Sequence, residues 1–459
     1  MEEVQKINPL LVRKYNQPVA RYTSYPTVPY WDAELAQDTW AGIFTTAFNS
    51  NNHMDGISVY IHLPFCESLC TYCGCNKKIT TNHKVEDEYL QALEKEWKLY
   101  RNCMQQTPVI RELHLGGGTP TFFSPKNLQR LVSSILKYSI VHPAHEFSIE
   151  GHPNNTTAKH LEVLYALGFR RISYGVQDND PEVQRLINRI QPLENVKNAT
   201  DLARQKGFTS VNFDLIYGLP GQTTESIATT IEQVITLRPD RIAFYSYAHV
   251  PWASRGQRLF DENDLPGAEA KLGLYLKGKE LLMQHGYFDI GMDHFALPHD
   301  SLYKAWQKGK LHRNFMGYTT QNTGLLLGLG VSAISDSGTA FAQNEKTLKD
   351  YYAAVNNNLL PVKKGYILTE EDHLFRKNIL DISCKGKTSF DEKQLPLLNQ
   401  YTFKLLSTFA SEGLVKFDKT GVELTTQGHS FIRNICSAFD MHLHRNTTVT
   451  GKTIFSKAI

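Results

Sequence analysis

The chain has almost no net charge and no unusual bias in composition, and both absences exclude classes of protein. Its 459 residues include 49 Lys and Arg against 46 Asp and Glu, a formal net charge of +3. Nucleic-acid binding through counterion release normally needs a larger basic excess, so this class is disfavoured. The hydrophobic fraction of 41% and the charged fraction of 21% are those of a globular protein. They exclude a disordered, collagen-like or coiled-coil chain.

Signatures of secretion and of membrane insertion are also missing. The opening MEEVQKINPL has early acids and lacks the apolar core that a secretory signal requires. The uncharged stretch 314–335 is apolar only from Leu325 to Ile334, which is too short to span a bilayer. We therefore expect a soluble, cytoplasmic protein without a membrane partner.

Short strand-like runs alternate with helical patterns through the first half of the chain. The strand-like runs, rich in β-branched and aromatic residues, are 57–62, 109–115, 146–150, 171–176, 210–216 and 241–247. Apolar residues recur at helical spacing in 86–100, 157–168 and 226–237. This alternation predicts an α/β fold with a parallel sheet and crossover helices. Six units in about 190 residues favour an open, partial parallel β/α barrel over a closed eight-stranded one.

The segments on either side of the barrel differ from it in pattern. The predicted division is an N-terminal arm at 1–55 with a short helix at 33–49, the partial barrel at 56–362 and a mainly helical C-terminal domain at 363–459. The last segment shows helical patterns at 369–383 and 399–412, a small β-wing, and a helix from Thr426, a winged-helix-like outline. Because the basic excess is small, a packing domain is favoured over a DNA-reading one.

Four of the seven cysteines lie within ten residues: Cys66, Cys70, Cys73 and Cys75. A disulfide framework spreads its pairs along a small secreted domain, so this cluster indicates a metal site instead. The C-x₃-C-x₂-C core places three thiols on one loop, and thiolates are the usual ligands of a [4Fe–4S] cluster. The fourth iron would then be open to a substrate or cofactor. A zinc site is the alternative, but it usually pairs two separated knuckles, and no second knuckle follows here.

Longer strings elsewhere in the chain carry a resemblance to a known family. They are RYTSYPT at 21–27, CGCNK at 73–77, LHLGGGTP at 113–120, GVQD at 175–178, NFDLIYGLP at 212–220, GMDHF at 291–295 and RNIC at 433–436. The cysteine spacing resembles that of the radical S-adenosylmethionine superfamily. The ordered set, from about residue 20 to the C-terminus, is similar to the oxygen-independent coproporphyrinogen III oxidases (dehydrogenases) of haem biosynthesis.

The resemblance implies the positions of the cofactors, a [4Fe–4S] cluster and two molecules of S-adenosylmethionine. Cys66, Cys70 and Cys73 match the cluster ligands, and Cys75 and Tyr60 match residues needed for catalysis. Contacts of the first S-adenosylmethionine are matched by Tyr60, Gly117, Glu150 and Ile334. Contacts of the second are matched by Tyr72, Gly118, Thr119, Gln177, Arg189, Asp214 and Ala248.

Without the resemblance, purely structural roles also explain several of these residues. Glu150, Gln177 and Asp214 fall at the C-terminal ends of predicted strands, where barrel active sites are built. Each is equally explained as a strand-end cap or a salt bridge. The glycines at 116–118 let backbone N–H groups approach a ligand closely, or simply make a tight turn. Arg189 is equally explained as an ordinary arginine on a surface helix.

By the same resemblance, the reaction is the oxidative decarboxylation of coproporphyrinogen III to protoporphyrinogen IX. An electron from the reduced cluster cleaves S-adenosylmethionine to methionine and a 5′-deoxyadenosyl radical, which removes a hydrogen from the β-carbon of a propionate. Loss of CO₂ and of one further electron leaves a vinyl group, on rings A and B in turn. The expected partners are the porphyrinogen and an unidentified low-potential electron donor, with no nucleic acid, and we expect a monomer.

Two related functions and three departures from the family pattern qualify this hypothesis. A haem-trafficking relative would bind haem, but it typically lacks the fourth cysteine and the RYTSYPT arm. An anaerobic haem-degrading methyltransferase would open the ring to a linear tetrapyrrole. Gly151 and His152 stand where the family often has Val-Asp, and Met316 stands where it has glutamine. Because methionine cannot donate or accept like an amide, we expect a polar contact near the second cofactor to be lost.

Overall fold

The computed structural model describes residues 8–31, 34–252, 254–446 and 455–457. The strands in these ranges are β1 (Ile57–Leu63), β2 (Phe65–Cys66), β3 (Lys78–Ile79), β4 (Val109–Gly117), β5 (Ile140–Gly151), β6 (Phe169–Gln177), β7 (Ser210–Tyr217), β8 (Arg241–Ser246), β9 (Phe288–Gly291), β10 (His294–Ala296), β11 (His312–Asn314), β12 (Gly317–Thr319), β13 (Leu326–Leu329), β14 (Ile334–Asp336), β15 (Ala340–Asn344), β16 (Val362–Ile367), β17 (Lys387–Ser389), β18 (Val415–Phe417) and β19 (Gly421–Leu424).

The helices in the same ranges are α1 (Pro9–Tyr15), α2 (Gln37–Asn51), α3 (Val85–Cys103), α4 (Pro125–Leu136), α5 (Ala158–Ala166), α6 (Pro181–Leu186), α7 (Leu193–Lys206), α8 (Thr224–Leu237), α9 (Ala268–Gln284), α10 (Ser301–Gln307), α11 (Leu348–Asn356), α12 (Glu370–Lys385), α13 (Leu395–Leu397), α14 (Phe403–Ser411), α15 (Ile432–Ser437) and α16 (Met441–Asn446). None of them has both the length and the hydropathy needed to cross a bilayer.

One large sheet organises the chain, in the order β16-β15-β14-β13-β1-β4-β5-β6-β7-β8-β10-β9. Neighbours from β13 to β8 are parallel, and the strands added at both edges are antiparallel. Among the described residues the edge strands β16 and β9 do not pair, so the barrel stays open, as the strand count predicts. The six predicted strands correspond to β1 and β4–β8.

The structure adds a seventh parallel strand that the sequence pattern does not reveal. Strand β13 lies beside β1, with Tyr60 paired to Gly328. It belongs to the apolar run Leu325–Ile334, which is buried on both faces and therefore shows no alternation. The run thus turns from β13 into β14 inside the protein.

Helices pack on one face of the sheet through the apolar stripes that predict them. In α8, Ile227, Ile231 and Val234 are fully buried in the main core beneath β7 and β8. The helix begins at a capping box, in which Thr223 accepts from the Ser226 N–H and the Ser226 side chain accepts from Thr223 N–H. The opposite, concave face of the sheet carries polar side chains, because successive residues of a strand point to opposite faces.

The N-terminal arm packs against the C-terminal helices. Tyr22 donates to Asp440 at 3.0 Å, and the Met441 N–H donates to the Tyr25 hydroxyl at 3.0 Å. Asn434 donates to the Tyr15 carbonyl at 2.9 Å. These contacts hold the RYTSYPT string over the end of β8. The helix predicted at 33–49 corresponds to α2, which begins at Gln37 and ends at Asn51. The predicted domain boundary between residues 362 and 363 falls inside β16.

Loss of the buried ion pair on the concave face should destabilise the fold strongly. Arg241 Nε lies 2.6 Å from Asp300 Oδ1, with side chains 4% and 2% exposed. Arg241→Met would leave the Asp300 carboxylate buried without its counter-charge, at a cost of about 3–5 kcal/mol of unfolding free energy. Urea unfolding of the variant and the wild type measures this cost.

The matched control is Arg13→Met, because Arg13 and its partner Glu269 have side chains 65% and 52% exposed. An exposed pair contributes at most about 1 kcal/mol. Equal losses in the two variants would contradict the structural role assigned to Arg241.

Candidate active site

A cavity of about 650 Å³ lies at the C-terminal ends of the parallel strands, between the cysteine loop and the concave face. Its lining includes twelve of the residues predicted for the site: Cys66, Cys70, Tyr72, Cys73, Cys75, Gly117, Gly118, Thr119, Glu150, Gln177, Arg189 and Asp214. Another cavity of about 690 Å³, between α12 and the small sheet β17–β19, contains none of them. The first cavity is therefore the candidate active site, because the predicted site residues line it.

The cysteine loop leaves β1 and is held closed at its base. Strands β2 and β3 pair in parallel, and the N–H groups of Lys78 and Thr80 donate to the carbonyls of Pro64 and Cys66. Thr119 donates to Cys66 Sγ at 3.3 Å from the neighbouring turn. The thiols of the core motif thus face the cavity from one constrained loop.

The donor set fits an iron–sulfur cluster by its chemistry. Cys66, Cys70 and Cys73 are half-buried, whereas Cys75 is exposed. A hydrogen bond from Cys75, with help from Lys77, lowers the pKa of Cys73 to about 6 despite its burial. In the described ranges no three side chains are already grouped as a metal-binding set. The fit therefore rests on three soft thiol donors lining one cavity.

Gly117 and Gly118, at the end of β4, pack closely against the cysteine loop, as in the tight-turn alternative. A Cβ at Gly118 would lie 2.7 Å from the Pro64 carbonyl carbon and oxygen. Gly117 has φ +118°, and a Cβ there would lie 2.8 Å from the His62 ring. Both N–H groups are already used inside the protein, since Gly117 donates to Glu150 at 3.1 Å and Gly118 to the Leu63 carbonyl at 2.8 Å.

A hydrogen-bonded chain that the sequence did not predict links β1 to the cysteine loop. His62 Nε2 lies 2.8 Å from the Asn76 carbonyl, and His62 Nδ1 lies 3.0 Å from the Tyr60 hydroxyl. Burial lowers the pKa of His62, so the ring is neutral. Because a carbonyl only accepts, Nε2 carries the proton and Nδ1 accepts from Tyr60. The position of His62 between the strand and the cysteines is the one sequence signal that could have identified it.

Glu150 is held as a carboxylate at the end of β5. Burial raises its pKa, but a hydrogen bond and the charge of His114, together with the Gly117 N–H, outweigh this and lower the pKa. His114 Nε2 lies 3.3 Å from Glu150 Oε1, and the His114 ring stacks on Tyr60 at a centroid distance of 5.9 Å. Tyr60 therefore contacts His114 but is not among the residues that line the cavity.

On the opposite wall, Asp214 and Arg189 face the same cavity. Asp214 accepts from Ser173 at 2.8 Å and from Asn212 at 2.9 Å, while burial, and then Glu150, raise its pKa to about 6. Arg189 reaches Cys70 Sγ at 3.4 Å, and its Nε is buried without a partner. Gln177 adopts φ +67°, a strained conformation common at functional sites.

Ala248 and Ile334 do not line the cavity. The Ala248 carbonyl accepts from Gln257, which also donates to the Tyr72 carbonyl, so it contacts the cysteine loop indirectly. Ile334 lies on β14 and packs against the cluster of Trp31 and Phe341. Their contacts with S-adenosylmethionine stay predictions from the family resemblance.

The residues that depart from the family pattern occupy two different environments. His152 lines the cavity, and burial, with Arg189 nearby, lowers its pKa to about 3, so it is neutral. Met316 instead packs with Phe315 against the apolar cluster that contains Tyr60. Phe315 meets the Tyr60 ring edge-on at 5.0 Å. A methionine suits this apolar position.

Several known proteins are similar to this chain. The model of the radical SAM superfamily matches residues 60–234, and a solved relative that covers 96% of this chain at 39% identity is described as a radical SAM enzyme, so the chain is a radical SAM protein. Oxygen-independent coproporphyrinogen III oxidase of Escherichia coli (strain K12) is 42% identical over 441 residues, 95% of each chain. The protein of that name from Helicobacter pylori (strain ATCC 700392 / 26695) is 38% identical over 448 residues, 96% of this chain and 98% of its own.

A solved structure agrees over the same length. Coproporphyrinogen III oxidase from Escherichia coli, described as a radical SAM enzyme, superimposes with a TM-score of 0.87 at 39% identity, over 96% of this chain and 100% of its own. The chain belongs to the oxygen-independent coproporphyrinogen III oxidase family. Membership implies a [4Fe–4S] cluster and S-adenosylmethionine as cofactors.

Two glycines near the cysteines should respond in opposite ways to a methyl group. In Gly118→Ala the new Cβ meets Pro64 backbone atoms at 2.7 Å, so the base of the cysteine loop must shift, at about 1–3 kcal/mol of folding free energy. In Gly74→Ala the Cβ has no neighbour within 4 Å. We expect Gly118→Ala to lose most of its iron and sulfide after anaerobic reconstitution. Full cluster content in Gly118→Ala, or loss in Gly74→Ala, would contradict the packing described.

Proposed function

We propose that this chain catalyses the oxygen-independent oxidative decarboxylation of coproporphyrinogen III to protoporphyrinogen IX in haem biosynthesis. The observation that carries the proposal is one cavity that joins a three-cysteine loop to buried polar side chains at the ends of β5, β6 and β7. The relatives of nearly equal length bear the name of this activity.

The predicted ligands would hold the cofactors within this cavity. Cys66, Cys70 and Cys73 would bind three irons of the cluster, and Glu150 and Gly117 line the same cavity. When bound, the reduced cluster and S-adenosylmethionine supply the electron and the organic radical that remove a hydrogen atom from the substrate. The protein positions the substrate carbon and excludes water.

Charge on the two walls supports distinct binding roles. The Glu150 carboxylate can accept from an amino group or a ribose hydroxyl, because His114 keeps its pKa low. Asp214 is an acceptor for a second S-adenosylmethionine, in a wall shared with Gln177, Arg189 and Tyr72. Ala248 contributes to that molecule only if its backbone becomes accessible, since its carbonyl is bonded to Gln257.

Solvent exclusion at the cysteine loop is supported by the segment that covers it. Ser254 donates to the Cys73 carbonyl at 2.9 Å, and Gln257 donates to the Tyr72 carbonyl at 2.7 Å. These bonds hold the turn Arg255–Leu259 over the loop.

We also propose a low-potential electron donor as partner, a monomer located in the cytoplasm, Cys75 and Tyr60 as catalytic residues, and the three-part domain division given above.

Two other activities remain to be separated from this one, a haem carrier and a ring-opening haem methyltransferase. The exposed Cys75 beside the core motif and the tightly packed RYTSYPT arm favour the oxidase, because the carrier typically lacks both. A carrier would bind haem without turnover, and the methyltransferase would yield a linear tetrapyrrole.

An anaerobic assay of the reconstituted protein with coproporphyrinogen III, S-adenosylmethionine and a chemical reductant tests the proposal. We expect vinyl groups to form in the wild type, no cluster and no turnover in Cys66→Ser, and a full cluster without turnover in Cys75→Ser. Product chromatography with iron and sulfide analysis measures all three. Haem binding without conversion, a linear tetrapyrrole, or a lost cluster in Cys75→Ser would each contradict the assignment.

A further inference from the structure

Arg241, Arg171 and Arg313 lie on or against the concave face, and among the described residues Arg241 and Arg171 have a carboxylate partner whereas Arg313 has none. Arg241 pairs with Asp300 at 2.6 Å, and Arg171 pairs with Glu146 at 3.0 Å. Arg313, on β11, is 7% exposed, yet within the described ranges it forms no ion pair.

The Arg313 guanidinium is largely unsatisfied as a hydrogen-bond donor. Its Nη2 donates to the Arg21 carbonyl at 3.4 Å, and its plane lies over the Tyr318 ring at 4.9 Å. Its Nε and Nη1 are buried and have no hydrogen-bond partner among the residues that the structure describes. A buried charge without a counter-ion is costly, because neither water nor an opposite charge offsets its desolvation.

A second donor without a partner lies beside Arg313. His294, paired with Ala243 of β8, is 9% exposed, and its Nδ1 has no hydrogen-bond partner. Burial lowers its pKa to about 3, and Arg313 is the largest of the charges that add to this. The neutral ring can still donate one N–H. Two adjacent groups therefore have donor capacity for which the described part of the chain supplies no acceptor.

This pair lies directly below the cofactor cavity. Tyr245 lines the cavity, and its ring meets His294 edge-on at 5.7 Å. Tyr245 stands two residues beyond Ala243, the partner of His294, on the same face of β8. Tyr245 therefore lies between the cavity and the pair, and the acidic side chain of a ligand would have to pass Tyr245 to reach Arg313 and His294.

We propose that Arg313 and His294 bind one carboxylate of the porphyrinogen substrate and so position the ring in the cavity. This inference rests on the proposed function, which supplies a substrate with several propionates. A planar guanidinium beside a second donor is the usual geometry for a carboxylate. The methionyl carboxylate of S-adenosylmethionine has the same chemistry, so the test separates the two sources.

The test compares coproporphyrin III with its tetramethyl ester, which has the same ring and no negative charge. Fluorescence titration of the reconstituted protein gives both dissociation constants. We expect Arg313→Gln to weaken binding of the acid about tenfold and to leave binding of the ester unchanged. Arg313→Lys should recover part of the loss. The matched control is Arg170→Gln, because the Arg170 side chain donates to the nearby carbonyls of Tyr165 and Phe169, lies over the Tyr165 ring and does not line the cavity.

A merely structural arginine would give a different result. If the substitution only disturbs the fold, it weakens binding of the acid and of the ester to the same extent. An unchanged ratio of the two dissociation constants in Arg313→Gln would therefore overturn the proposal. Weaker S-adenosylmethionine binding with an unchanged ratio would assign the site to the cofactor and also overturn it. If Arg313→Gln does not fold, His294→Gln undergoes the same comparison with the same criteria.

Turnover separates failure of this site from failure of the proposed function. In the anaerobic assay, Arg313→Gln should raise the KM for coproporphyrinogen III about tenfold with a smaller change in kcat. Wild-type turnover with an unchanged KM in the variant would overturn the carboxylate site alone. Absence of turnover and of porphyrin binding in the wild type would overturn the proposed function, and this site with it.

Discussion

A neutral imidazole ties the cysteine loop to the sheet, and the site depends on this link. His62 accepts from Tyr60 at the end of β1 and donates to the Asn76 carbonyl beyond the last cysteine. The ring therefore joins β1 to the end of the cysteine loop, and moving the loop away from β1 would break one of these hydrogen bonds. Gly117 packs against the same ring so closely that a Cβ there would lie 2.8 Å away. The link therefore aligns the thiols with the Glu150 wall.

The concave face separates structural charge from charge available to ligands. Toward the N-terminal ends of the strands, Arg241 and Arg171 are neutralised by Asp300 and Glu146, and these pairs hold neighbouring strands together. Toward the C-terminal ends, Glu150 and Asp214 face the cavity and are held by hydrogen bonds from neutral groups or His114. Arg313 lies between the two regions without a counter-ion, which is why it stands out as a ligand group.

Local patterns predicted the parts of this site that lie on consecutive residues. The cysteine spacing gave the loop, and the alternation of strands with helices gave β1 and β4–β8, because each signal is contained within about ten residues. Strand β13 escaped prediction because burial on both faces removes its alternation. His62, Arg313 and His294 escaped because their importance comes from contacts across distant segments, which no single-sequence period records. The sequence predicted where the glycine turn lies, but it did not show that the Gly117 N–H donates to Glu150 inside the protein.

The most direct test of the link at His62 is the electron paramagnetic resonance spectrum of the reduced cluster with and without S-adenosylmethionine. In His62→Gln, the side-chain oxygen can accept from Tyr60 while the amide donates to Asn76, so we expect the wild-type change on adding the cofactor. In His62→Leu both bonds are lost, and we expect a depleted cluster or a spectrum that the cofactor no longer alters. A full cluster with the wild-type response in His62→Leu would contradict the account.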